Sequence, residues 1–390
     1  MNANSQPMLA PMDFAARSRA IRSRLESEDV DVLVVTHPPN VRWLTGFTGS
    51  NGQVLVSGQT LTVVTDPRYE VQVAQELAAA GVAATVEIVR PTDDRKLAQI
   101  VAGHGQGGAR IGLESDSITK AQWDEFTQVM EATAGDGGPS QLVPVSGWVQ
   151  ELRQIKDDGE IARLRYAAAI ADQALASVAA GFGPGVTEIE IAAELAYAMR
   201  RAGAEDVAFP TIVAAGANAA LPHAQPSHRP LADGELLLID MGARYDGYHS
   251  DMTRTFAIGA LHDEQANWVE AVLAAQRAGV EAVSAGVSAR AIDRRCREVL
   301  ADFGLADYFT HGTGHSIGLE IHEQPMLSTR SEDILAVGHV VTVEPGVYLP
   351  GFGGVRIEDS VLVTPSGREP LTLSPKIDLD GVNGRPFNQQ

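Results

Sequence analysis

Cysteine is almost absent from this 390-residue chain. The single one, Cys296, rules out an intramolecular disulfide and falls in the helical stretch Ala291 to Leu300, where it reads as a helix residue of the core or surface rather than a nucleophile. Basic residues are also short: 30 lysines and arginines against 50 aspartates and glutamates leave a formal net charge of −20, which excludes a nucleic-acid backbone as a natural partner. No apolar run approaches the roughly 18 residues a membrane span requires. Met1 to Met12 lacks both the basic start and the apolar segment of a signal peptide, so a cytoplasmic enzyme with no membrane partner is expected. A Walker lysine is missing, as is a GxGxxG run after a strand in the first half, and the glycines around His311 therefore do not read as a phosphate loop.

What is present is an ordinary globular composition, 44% hydrophobic and 21% charged, long enough for two domains. Phe14 to Leu25 reads as a basic amphipathic helix feeding a strand at Val32 to Thr36. Strands at Gln53–Val56, Leu61–Thr65, Thr85–Val89 and Arg110–Leu113 alternate with helices at Tyr69–Ala80, Lys96–Ala102 and Lys120–Ala132, which points to an α/β domain. Residues 134–140 are a loop by composition, and a strand at Leu142–Val145 closes this first domain, 1–147. The second domain, 148–377, opens on a helix-period stretch from Trp148 to Ala179 that is expected to bridge the two. Thr187-Glu188-Ile189-Glu190 is a capping box opening a helix to Arg201. Helices at Asp263–Ser284 and at Ser288–Phe303, the latter capped by Ser288, precede strand-rich sequence from His311 to Val363. A helix pair followed by a sheet thus occurs twice, and the chain from Pro370 onward reads as a polar tail.

Four carboxylates and a histidine in the second domain recur in settings that suit a shared metal site. Asp240 ends the apolar run Leu236 to Ile239, and Asp251 lies beyond Tyr245-Asp246-Gly247-Tyr248. Asp-Gly between two strand-like runs signals a hairpin. A turn centred on Asp246-Gly247 puts Asp240 opposite Thr253 and brings Asp251 diagonally onto the same face. Two like charges held so close need a cation between them. His315 closes His311-Gly312-Thr313-Gly314-His315, Glu344 ends the strand Val340 to Val343 ahead of Pro345-Gly346, and Arg356 and Glu358 alternate with Val355 and Ile357, so they share a face. Taken singly, these acids read as surface charges, Arg356 and Glu358 as a solvated ion pair, and His223, His311 and His322 as hydrogen-bonded core histidines. Taken together, carboxylates at the ends of apolar strands carry a desolvation cost that a metal relieves. Four oxygen ligands and one imidazole exceed a tetrahedral zinc site and suit manganese first, with cobalt or zinc as alternatives. Two ions roughly 3.5–4 Å apart sharing bridging carboxylates would use all five ligands.

The segments Asp240 to Thr255, His311 to Glu323, Thr342-Val343-Glu344-Pro345-Gly346 and Val355-Arg356-Ile357-Glu358-Asp359 resemble the proline-specific peptidases of the methionine aminopeptidase ("pita-bread") superfamily, peptidase family M24. Asn40 to Gly52 and Thr65-Asp66-Pro67-Arg68-Tyr69 are similar to segments of aminopeptidase P-like members. The resemblance implies an α/β N-terminal creatinase-like domain followed by an α+β pita-bread catalytic domain with pseudo-two-fold symmetry, and commonly a homodimer. It implies two divalent metal ions per chain: Asp240 chelating the first, Asp251 and Glu358 bridging, His315 and Glu344 completing the second. Glu344 would also accept the proton of the attacking water. His223 and His322 would orient the substrate carbonyl and the tetrahedral intermediate, His311 would stand beside the proline pocket, and Arg356 would hold a metal-binding carboxylate. Ser316, Trp43 and Pro67 depart from the glycine, tyrosine and glycine common at those positions, which bears on pocket shape and removes no ligand.

The implied activity is hydrolysis of the Xaa-Pro bond at the N-terminus of proline-containing peptides. A Xaa-Pro aminopeptidase is placed first and a Xaa-Pro dipeptidase second. A metal-free creatinase-like hydrolase or a non-catalytic binding protein is the remaining reading, and the five retained ligand types argue against it.

Overall fold

The computed structural model describes residues 9–90, 97–104, 108–134 and 138–377. It divides into two compact units, Pro11–Arg153 and the one built from Gln154 onward. In the first, six strands form one mixed sheet: β1 Val32–Val35, β2 Gly52–Ser57, β3 Leu61–Thr65, β4 Thr85–Ile88, β5 Arg110–Glu114 and β6 Gln141–Val145, in the order β4-β3-β2-β1-β5-β6. Its helices are α1 Phe14–Ser27, α2 Pro38–Thr45, α3 Glu70–Ala80, α4 Leu97–His104, α5 Lys120–Ala132 and α6 Trp148–Arg153. The apolar faces of α4 and α5, Ile100, Val101, Phe126 and Met130 among them, close over Val34, Ile111 and Leu113 of the sheet. The predicted strands and helices are present, and a helix the sequence reading did not name, α2, adds to them between β1 and β2, opened by Pro38-Pro39 and closed by Gly46 in left-handed backbone. Within the predicted loop 134–140, residues 135–137 lie outside the described residues.

The helical stretch from Trp148 is not one element. It breaks at residues 154–157, because Asp157 and Glu160 form a reciprocal capping box that starts a new helix, α7 Asp158–Val178. Helix α8, Glu188–Arg201, opens on the Thr187–Glu190 box read from the sequence. Strands β7 Asp206–Val207, β8 Ile212–Ala215, β9 Glu235–Met241, β10 Ala243–Tyr245, β11 Tyr248–His249 and β12 Met252–Ile258 follow. Then come helices α9 Asp263–Ala282 and α10 Ala289–Asp302. The second group of strands is β13 Gly314–Ser316, β14 Glu323–Leu327, β15 Val340–Val343, β16 Gly346–Leu349, β17 Gly353–Arg356, β18 Asp359–Thr364 and β19 Gly367–Pro370. Helices α7 and α8 bury Ile170, Leu195 and Met199 against β8, β9 and β12. Helices α9 and α10 bury Val272, Ile292 and Leu300 against β15 and β18. A helix pair covering a sheet therefore recurs, and the site lies where the two sheets meet.

Two local expectations need correction. Ser288 stands at the start of α10 but makes no side-chain capping hydrogen bond. Residues 371–374 are no free tail: Leu371, Thr372 and Ser374 are buried, Arg254 donates two hydrogen bonds to Ser374 O, and Asp172 accepts from Leu373 N, Ser374 N and Ser374 Oγ. Side chains from distant helices and strands supply partners that composition could not reveal. Residues 378–390 lie outside the described residues. Cys296 is buried in α10 with its thiol pushed up to about 12 by desolvation, which suits a core residue. Among the described residues no helix is long and apolar enough to cross a membrane.

The hairpin that places the first two acids has the predicted register. Tyr245 pairs with Tyr248 around a two-residue turn in which Asp246 (φ 46°) and Gly247 (φ 75°) both adopt left-handed backbone, and Thr253 faces Asp240. Between them the ladder passes from the β9/β12 pair to the β10/β11 pair at Gly242, where a Cβ would stand 1.9 Å from Ser250 O. Gly242→Ala is therefore expected to destabilise the protein by about 3 kcal/mol, read as a lowered urea midpoint. An unchanged midpoint would contradict so close an approach.

Candidate metal centre

Strand ends deliver the five groups to one buried place. Asp240 comes from β9 and Asp251 from the residue before β12, and one carboxylate oxygen from each of Asp240, Asp251 and Glu358 lies within 4.8 Å of the other two. His315 on β13 completes the set by aiming Nε2 at Asp251 Oδ2 (3.6 Å) and Glu344 Oε1 (3.4 Å). Glu344 follows β15, its backbone N–H held by Thr313 O at 2.8 Å. Glu358 N donates to Thr253 O, tying the residue before β18 to β12 across the seam between the sheets.

The electrostatics of this cluster call for cations. Burial, then the charges of Glu358, Asp240 and Glu344, push the Asp251 carboxyl well above the usual carboxylate range. Glu358 rises likewise through burial and then Glu344 and Asp240. Burial also lifts Glu344 to about 8, against the lowering influence of Arg356. One oxygen of Asp240 (Oδ1) and one of Glu358 (Oε1) are buried with no hydrogen-bond partner. His315 Nδ1 lies 3.1 Å from Ser316 O, so the proton sits on Nδ1 and the bare Nε2 lone pair faces carboxylate oxygens. Burial first, then His322, holds this imidazole near a pKa of about 4. Orphan oxygens and an unprotonated ring nitrogen converging on one point fit divalent metal ions with oxygen and imidazole ligands.

Around the acids runs a hydrogen-bonded chain that the sequence reading missed in part. Arg356, at the end of β17, donates Nη2 to Asp240 Oδ2 (2.6 Å), Nε to Thr253 Oγ1 (3.1 Å) and Nη1 to Tyr348 Oη (2.7 Å). The partner of Arg356 is thus Asp240, not a solvated Glu358, and both Arg356 and Glu358 are buried. Thr253 Oγ1 in turn donates to Glu358 Oε2 at 2.8 Å. Beyond Tyr348, His311 closes the chain. His311 Nδ1 donates to Gly312 O (2.8 Å), leaving Nε2 to accept from Tyr348 Oη (2.9 Å), and burial followed by the charges of Arg356 and His223 holds its pKa near about 4. The guanidinium therefore orients Asp240 directly and Glu358 through Thr253. Thr253 could have been found as the residue opposite Asp240 in the hairpin, whereas no local pattern marks Tyr348. Tyr348→Phe leaves two buried polar groups short of a partner. A loss of about 1–3 kcal/mol is expected and is read by thermal denaturation, with no change arguing against the chain of bonds.

The remaining histidines differ in setting. His311 is hydrogen-bonded at both nitrogens, as a core histidine would be, but His223 and His322 are exposed. His322 meets His315 edge to face at 4.5 Å between ring centroids, and the neighbour of His223, Pro222, accepts a hydrogen bond from Arg356.

Comparison with known proteins bears directly on this arrangement. Residues 162–365 match the metallopeptidase family M24, and residues 17–155 match the creatinase/prolidase N-terminal domain. The chain belongs to family M24. An uncharacterized peptidase, YqhT of Bacillus subtilis, is 39% identical over 349 residues, covering 89% of this chain and 95% of that protein. A solved Xaa-Pro dipeptidase from Bacillus anthracis superposes with a TM-score of 0.85 at 37% identity, over 94% of this chain and 99% of that one. An X-Pro aminopeptidase from Thermotoga maritima gives 0.81 at 33% identity, over 92% and 98%. The chain therefore has the creatinase-like N-terminal domain and pita-bread catalytic domain of the family and is a hydrolase of the peptidase class.

Proposed function

We propose that this peptidase hydrolyses the bond between an N-terminal residue and proline, and prefers peptides longer than a dipeptide. The supporting observation is the convergence of Asp240, Asp251, His315, Glu344 and Glu358 on one buried point beside exposed His223 and His322. In this reading those five residues hold two divalent ions, with manganese first and cobalt or zinc as alternatives. When bound, the ions supply Lewis acidity, polarising the scissile carbonyl and lowering the pKa of water.

The residues do the rest. A Xaa-Pro amide is tertiary and has no N–H, so a site that docks an extended backbone through that group handles it poorly. Glu344 is close enough to the metal-binding groups to take a proton from the attacking water, and it returns that proton to the departing proline nitrogen. His223 and His322, reachable from solvent, orient the substrate carbonyl and donate to the oxygen that gains charge. His311, its ring fixed by Gly312 and Tyr348, stands beside the proline, while Arg356 holds Asp240 in place.

One observation supports the preference for longer peptides. A dipeptide presents a free carboxylate on its proline. From His311 to Thr329, up to the exposed Arg330, the chain carries neither lysine nor arginine, and the guanidinium of Arg356 is committed to Asp240, Thr253 and Tyr348. The second reading, a Xaa-Pro dipeptidase, is favoured by the activity named for the Bacillus anthracis relative. A peptide panel decides: chelated protein given manganese, cobalt or zinc in turn is assayed on Ala-Pro, Ala-Pro-Ala and Ala-Ala-Ala. Cleavage of Ala-Pro-Ala above Ala-Pro supports the proposal, the reverse order supports the dipeptidase, and equal cleavage of Ala-Ala-Ala removes proline specificity. A homodimer is part of the same reading and is tested by sedimentation.

A further inference from the structure

The second domain buries one lysine next to the site and gives it no role in the chemistry above. Lys156 lies in the segment between α6 and α7, and its side chain is 1% exposed. Its ammonium donates to Ser316 Oγ (3.0 Å) and to Glu323 Oε2 (3.2 Å), and its backbone N–H donates to Gly338 O. Glu323 is nearly as buried, at 7%.

The two partners are not arbitrary. Ser316 and Glu323 face each other across the β13/β14 ladder and form the pair that closes the loop 317–322. His315 immediately precedes one of them and His322 the other. The ladder is irregular at this point, because the register shifts between Gly314 and Ser316. A side-chain link at the Ser316–Glu323 pair therefore adds a constraint where the ladder is uneven. The Glu323 carboxylate also accepts from Glu320 N inside the loop, and Gly318 permits its approach, since a Cβ there would fall 2.6 Å from Glu323 Oε1. Ser316 gives the ammonium a second anchor, and its own hydroxyl donates to Val340 O on β15.

We propose that Lys156 is a positioning residue: its ammonium, gripped by Ser316 and Glu323, fixes the β13/β14 offset and with it the spacing of His315 and His322. A well-packed apolar pair is generally at least as stabilising as a buried ion pair of similar volume. What the charged pair adds is a defined distance between two strands that an apolar contact would leave free to slide. The kinetic part of this inference rests on the function proposed for His322; the geometric part does not.

The test uses the full chain. Lys156→Met/Glu323→Met removes both charges together, and Ser316→Ala removes one anchor and leaves the ion pair. The double variant is expected to melt within a few degrees of the parent while its kcat on Ala-Pro-Ala falls on the order of 10²-fold, with KM little changed. Ser316→Ala is expected to show a smaller loss of kcat. In the chelated proteins, the imidazole ¹H–¹⁵N signals of His315 and His322 are expected to move in both variants, while that of His228 stays in place. Parent-like kcat and unmoved signals in a folded double variant would overturn the proposal. If the double variant does not fold, unmoved His315 and His322 signals in Ser316→Ala overturn it. His322→Ala is measured alongside. Should it keep the parent kcat, the role given to His322 fails, and the histidine signals alone then decide whether Lys156 positions the loop.

Discussion

Glu344→Gln lowers kcat on Ala-Pro-Ala by on the order of 10²–10⁴-fold, and Asp251→Ala removes measurable turnover. Glutamine keeps the volume of Glu344 and its hydrogen bond from Thr342 Oγ1, but it cannot take up a proton. The loss should therefore fall on kcat more than on KM. Asp251 is at the centre of the cluster, within reach of Asp240, Glu358 and His315, so its removal weakens the hold on both proposed ions rather than one. Steady-state kinetics at saturating manganese, with metal content measured on each purified variant, provide the check. Substantial activity in either variant under those conditions would sink the assignment of the site.

Chelator-treated protein loses stability as the pH rises from about 6.5 to 8, and saturating manganese abolishes that loss. The sign follows from proton counting. Burial raises the folded-state pKa of Glu344 from 4.5 to about 8 and raises Asp251 and Glu358 as well, so over this range the folded chain binds more protons than the unfolded one. Stability then falls with pH, by on the order of a few kcal/mol across the window. Below about 6.5 the opposite contribution enters. His311, His315 and His339, each lowered to about 4 chiefly by burial, stay neutral when folded and take up protons when unfolded, so between about pH 4.5 and 6.5 they offset the slope of the three carboxyls and stability changes little. Divalent ions bind the deprotonated carboxylates, so their stabilising effect grows with pH. Thermal melts at pH 6.5, 7.25 and 8, with chelator and with manganese, read both slopes. A metal-free melting temperature that does not change across this window would show that the acids are not held in the arrangement described.

Much of the site could be anticipated because short-range rules carried it. The Asp246-Gly247 turn sets the register of the hairpin, and the register puts Thr253 opposite Asp240 with Asp251 one step along. Glu344 and Glu358 could be placed at strand ends by their apolar neighbours. The true partner of Arg356 could not. Alternation puts Arg356 and Glu358 on one face, but the guanidinium reaches 116 residues back to Asp240, and Thr253 mediates its link to Glu358. Tyr348 was invisible for the same reason. Its neighbours Val347 and Leu349 mark a strand, and nothing local marks a phenol bonded to both Arg356 and His311. The segment just after Pro370 reads as solvated by composition, yet Leu371, Thr372 and Ser374 are buried, with Arg254 and Asp172 holding Ser374.

Turn chemistry, capping boxes and the period of apolar residues act over a few residues, so the amino-acid order alone determined the elements, the hairpin register and the candidate ligands. Which carboxylates share an arginine, which oxygens stay unpartnered and which lysine grips the β13/β14 loop are settled by packing between segments more than a hundred residues apart. Those contacts depend on how the two sheets meet, and only the tertiary structure decides that.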